Sequence, residues 1–158
     1  MTQPDDITVS LEMARKLKEA GWPQYDNGAA GFFWLYPHYI VPFFDDEYHP
    51  KERDWSLKYW ESGMPHHKCI EIDHPGFLRA PSAEEILRRL PRRLAFDGEL
   101  EGKWICVNSD ADRKGWKIGY LDCRQVPVIE DDTLANAAAA MWCYLAENGL
   151  LPKADEAA

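Results

Sequence analysis

The side chains best suited to metal chemistry crowd into one stretch of the chain. His38, Asp45, Asp46, Glu47, His49, His66, His67, Cys69, Asp73 and His74 all fall between positions 38 and 74, and all five histidines of the sequence are among them. Imidazole, thiolate and carboxylate are the usual ligands of zinc and similar ions. Their spacing, however, matches no standard ligand pair: there is no CxxC, no HExxH and no HxxxH. His66, His67, Cys69 and His74 are the metal candidates. The plainer reading is a polar loop whose histidines are solvated or cap their neighbours, and on that reading no metal and no cofactor is expected.

Two other polar runs invite chemistry. Asn108-Ser109-Asp110-Ala111-Asp112-Arg113-Lys114-Gly115 resembles a calcium loop, but position five is Lys114 and position twelve is Leu121, where a bidentate glutamate is required. It reads instead as a polar hairpin connection. Arg88, Arg89, Arg92 and Arg93 bracket Leu90-Pro91 and form the single basic concentration in the sequence. Cations are favoured at the C-terminal pole of a helix, so a solvated helix end accounts for them. Guanidinium also grips carboxylate and phosphate in a fork, which makes the run a candidate anion site.

Aromatic residues are the third signal. Seven Trp, seven Tyr and six Phe make 13% of the chain, and Tyr48, Trp55, Tyr59 and Trp60 lie outside obvious core positions. They could line a satellite core under a long loop, or a surface for a protein or a flat ligand. The acidic run Asp45, Asp46 and Glu47 lies beside them and has no capping role to explain it. No glycine-rich phosphate loop, nucleophile elbow or dinucleotide fingerprint occurs, so the sequence leans away from an enzyme.

Elements to position these residues can be read along the chain. Ser10 caps a first helix over roughly 11–20 that Gly21 ends. The aromatic stretch 31–44 predicts two strands around Pro37-His38. Residues 45–68 read as a long irregular loop, in which Asp54 to Trp60 could supply one turn of helix or a strand. Cys69 to Asp73 alternates as a strand. Ser82 and Glu85 stand at capping-box spacing before a helix that buries Ala83, Ile86, Leu87 and Leu90 and ends at Pro91. Leu94-Ala95-Phe96 leads into a tight Asp97-Gly98 turn. Residues 104–107 and 116–121 make a hairpin. A final helix, capped by Asp131 or Asp132, packs Leu134, Ala138, Met141, Trp142 and Leu145, and Gly149 closes it. The expected class is α+β: one domain over 1–152, an antiparallel sheet of four to six strands with about three helices packed on it, and a disordered tail at 153–158.

Composition restricts the partners. The chain of 158 residues carries 18 basic and 27 acidic side chains, a formal charge of −9. General nucleic-acid binding needs a basic surface and is not expected. No apolar run reaches the eighteen or so residues of a membrane helix, and the acidic N-terminus lacks the regions of a secretory signal. Cys69, Cys106, Cys123 and Cys143 are widely spaced, which suits a reduced, cytoplasmic protein.

Three segments taken in order carry a resemblance. Ser10-Leu11-Glu12-Met13-Ala14 with Leu17-Lys18-Glu19-Ala20-Gly21-Trp22-Pro23-Gln24 is the first, and Ala80-Pro81-Ser82-Ala83-Glu84-Glu85-Ile86-Leu87 the second. The third is Leu134-Ala135 through Trp142, ending Leu145-Ala146-Glu147-Asn148-Gly149-Leu150. The set resembles a group of small, uncharacterised proteins encoded by bacteriophages and prophages. The resemblance implies a phage origin and an accessory role in the cytoplasm of a bacterial host, and transfers no catalytic residue. The function expected is therefore non-enzymatic: binding and neutralising a host component. That component is either a protein complex of bacterial defence or a nucleotide signal held by the Arg88 to Arg93 run with stacked aromatics; a homodimer is compatible with both. A metal-dependent hydrolase built on 38–74, and a small structural or assembly protein, stay open as alternatives.

Overall fold

The amphipathic spacing after Ser10 is realised as helix α1 (Leu11–Glu19), with the Ser10 hydroxyl accepting from the Met13 N–H at 3.3 Å. The computed structural model describes residues 7–24, 31–35, 55–60, 77–96, 102–110, 112 and 114–152. Strands β1 (Gly31–Leu35), β2 (Ser56–Trp60) and β3 (Phe77–Arg79) follow, then helix α2 (Ala83–Arg89), strands β4 (Arg93–Leu94), β5 (Lys103–Asp110), β6 (Gly115–Tyr120) and β7 (Ile129–Asp131), and helix α3 (Leu134–Glu147). All strand pairs are antiparallel. The class is α+β, with three helices among the described residues. The strands divide between two sheets, ordered β2-β1-β3 and β4-β5-β6-β7, where the sequence suggested one.

The chain falls into two compact units, Met1–Ser82 and Ala83–Ala158. In the first, α1 buries Leu11, Ala14 and Leu17. The Trp34 indole N–H donates to the Val9 carbonyl at 3.0 Å, tying β1 to the segment that precedes the helix. That segment runs against the end of the unit, with Val9 N–H donating to Pro81 O and Thr8 bridging Ser82. Gly31 makes room for Arg79: a methyl group there would occupy the space of the Arg79 guanidinium, which stacks 5.0 Å from the Phe33 ring centroid. Within the expected irregular loop 45–68, residues 56–60 are the strand β2. Its β-branch-poor sequence Ser-Leu-Lys-Tyr-Trp hides the alternation that marks most half-buried strands.

In the second unit, α3 is buried well beyond one stripe. Ala135, Ala137, Ala138, Ala139, Met141, Trp142, Cys143 and Leu145 are all buried, while Leu134 is half-buried. Alanines let neighbouring backbones approach from more than one side, so the helix packs against α2 as well as β6 and β7. Its N-cap is Thr133, whose hydroxyl accepts from Asn136 N–H at 3.2 Å. This corrects the expected Asp131 or Asp132 cap: Asp131 ends β7 and its carboxylate accepts from Thr133 N–H instead. Strand β7 itself is an element that the sequence reading lacked. Ile86 of α2 and Leu90 just after it are buried, whereas Ala83 and Leu87 are half-buried.

Both long helices end alike. Gly21 and Gly149 take φ of +95° and +66°. The N–H groups that follow fold back on the last turn, Trp22 to Leu17 O and Leu150 to Leu145 O, each at 2.8 Å. This double-bonded ending satisfies carbonyls that a helix leaves open and favours glycine at the left-handed position.

Candidate functional site

The arginine run is built by a helix end that feeds directly into an edge strand. Arg88 and Arg89 occupy the last turn of α2, where cations suit the dipole. Pro91 stops the helix, and Arg93 begins β4. All four arginines, Arg88, Arg89, Arg92 and Arg93, are exposed. Arg88 pairs along the helix with the Glu84 carboxylate four residues earlier. Both partners are largely in solvent, so the pair contributes little to stability but does neutralise that guanidinium.

Arg93 is placed differently. Register pairs it across the sheet with Trp104 on β5, and its guanidinium carbon sits 4.9 Å from the Trp104 ring centroid. That separation is within the range of a cation–π contact. Trp104 remains 54% exposed, so the indole holds the charge at the surface rather than burying it. The strand is anchored from below: Ile105 N–H donates to Arg92 O at 2.9 Å, and the Tyr120 hydroxyl donates to Pro91 O at 2.7 Å. Burial raises the Tyr120 phenol well above its ordinary range, so it stays protonated and remains a donor throughout the physiological range. An oriented, planar cation on a short, fixed strand can grip a carboxylate or phosphate in a fork.

Other residues singled out from the sequence are placed elsewhere. Trp55 is in the core of the first unit, 9% exposed, with the Arg15 guanidinium over its ring at 5.6 Å. Tyr59 is exposed and meets Phe32 edge-on, with ring centroids 5.1 Å apart. Trp60 pairs with Gly31 in the β1–β2 register. Asp45, Asp46, Glu47, Tyr48, His66, His67, Cys69 and His74 lie outside the described residues, as do the tail 153–158 and the strand expected at 69–73. Among the described residues no group of three or more His, Cys, Asp or Glu could hold a metal ion. The run from Asn108 to Gly115 spans the end of β5 and the start of β6, a hairpin connection as its sequence suggested. No described helix is long and apolar enough to cross a membrane.

Trp104 is the residue that sequence reasoning missed. The sequence places it in a strand at 104–107, with no local signal that ties it to the arginines. A two-residue Asp97-Gly98 turn would have paired Arg93 with Gly102; the observed register sets Arg93 against Trp104, two positions further on. The shift preserves parity, so the face was predictable while the partner was not. Comparison with protein-family models, curated proteins and solved structures finds no match to this chain.

Proposed function

We propose that this chain is a non-enzymatic binding protein, an accessory protein of phage type, that engages and neutralises an anionic component of a bacterial host. The observation that supports it is the Arg93 guanidinium held over the exposed Trp104 indole on a short edge strand. Tryptophan and arginine are the residues that most often dominate binding energy at interfaces. The chain as a whole is strongly acidic, so a cation fixed at its surface against the general field acts as a selective contact rather than a broad polyanion trap. Its partner presents carboxylate or phosphate at that point, either on a protein complex of host defence or on a nucleotide signal.

Affinity capture from host lysate followed by native mass spectrometry tests this, using the wild-type chain beside R93E and W104A. Both substitutions are at exposed positions, so the fold should persist and can be verified by circular dichroism. The expected result is a bound host component retained by wild type and lost by both variants. A capture profile identical for all three chains, or no partner at all, overturns the proposal.

A further inference from the structure

The sheet that carries Arg93 has one face under α3 and another that no described helix of its unit covers. On the α3 side lie Ile118 and Tyr120, both buried. The opposite face can be laid out from the registers. Arg93, Trp104 and Leu121 form one row, with Leu121 N–H donating to Trp104 O at 2.8 Å. Cys106, Gly119 and Val128 form the next, with a methyl group at Gly119 coming within 3.1 Å of the Val128 side chain. Asn108, Lys117 and Glu130 form the third, where the Lys117 ammonium meets the Glu130 carboxylate at 3.1 Å. Trp104 and Leu121 are each 54% exposed and Val128 is 61% exposed. Gly119 is buried with the Val128 side chain over it, and Trp104, Leu121 and Val128 are the large apolar groups that this face exposes. The result is a shallow apolar platform with a fixed cation at one end and a neutralised ion pair at the other.

We propose that this platform docks an acidic, apolar segment of a partner protein, with its apolar side chains against Trp104, Leu121 and Val128 and a carboxylate on Arg93. The proposal rests on the anion-binding reading above and narrows it. A free phosphate or nucleotide phosphate gains from Arg93 but nothing from Leu121 and Val128, whereas contiguous exposed apolar groups mark surfaces that close against protein. Charge selects the sign of the segment: Arg93 sets the potential at its end, and Lys117 is balanced by Glu130 at the other.

The test is a titration of the isotope-labelled full chain followed by NMR, with the Trp104 indole resonance assigned through W104F. Four probes are used: a short peptide alternating leucine and glutamate, a glutamate-only peptide of equal length, a leucine–lysine peptide, and inorganic pyrophosphate. The leucine–glutamate peptide should move the Trp104 indole and the Gly119 and Val128 amides. It should bind roughly tenfold more tightly than glutamate alone, the effect expected of burying about two further methylene groups. L121S and V128S should remove that advantage while leaving the glutamate peptide unaffected, and R93E should abolish both.

If glutamate alone or pyrophosphate binds as tightly as the mixed peptide and L121S and V128S change nothing, the platform is overturned while the anion reading stands. If no acidic probe binds, or the leucine–lysine peptide binds equally well, the anion reading falls with it. Self-association that covers Gly119 and Val128 at NMR concentration also overturns the proposal, in favour of a second copy.

Discussion

At the scale of single residues, the phenol of Tyr120 joins the core to the surface. Its ring is buried, and its hydroxyl reaches the carbonyl two residues before Arg93. Because burial raises the folded-state value above the ordinary tyrosine value, the neutral form is favoured on folding. The sign follows: this contribution is complete below about pH 10, the unfolded tyrosine value, and is lost as pH rises further. Y120F should cost about 1 kcal/mol at neutral pH by urea denaturation, for one lost hydrogen bond. Its stability should also fall less steeply than wild type above pH 10. A parallel alkaline limb in both chains would contradict this assignment. Little of this was legible beforehand, since Tyr120 reads only as one aromatic in a strand. A partner 29 positions away in sequence is set by tertiary register, not by local pattern.

At the scale of elements, the helices were the most readable part, because their signals are local. Ser10, the three- and four-residue spacing of Leu11, Ala14 and Leu17, and the glycines after each long helix all act within a few residues. The cap of α3 was misassigned because three candidate oxygens, on Asp131, Asp132 and Thr133, stand side by side and β7 takes the first. T133A should therefore destabilise the chain by about 1 kcal/mol in thermal unfolding, whereas D132A should be close to neutral. In the first sheet, G31A forces its methyl group into the Arg79 guanidinium and should cost roughly 1–3 kcal/mol by the same measurement. Strands were harder to read: β2 lacks clear alternation, and β7 is three residues long. The candidate site suffered from the same weakness. Its arginines were visible as a run, but the indole that orients Arg93 belongs to another strand, and only the pairing register brings the two together.

At the scale of the whole molecule, acidity is the dominant property and was fully legible from composition. A gel-shift assay with duplex DNA at physiological salt should show no retardation, since −9 opposes the counterion release that drives such binding. Retardation that salt abolishes would mean that the arginine run outweighs the overall charge. The division of seven described strands into two sheets was not legible, because alternation identifies a strand but not the sheet it joins. The alanines of α3 have one further consequence. Ala135, Ala137, Ala138 and Ala139 are 0% exposed, so the space around each ends at the methyl group. A saturation library at these positions should therefore sort by volume more than by polarity. Serine and glycine should survive more often than valine or leucine, the reverse of the preference expected in an ordinary hydrophobic core.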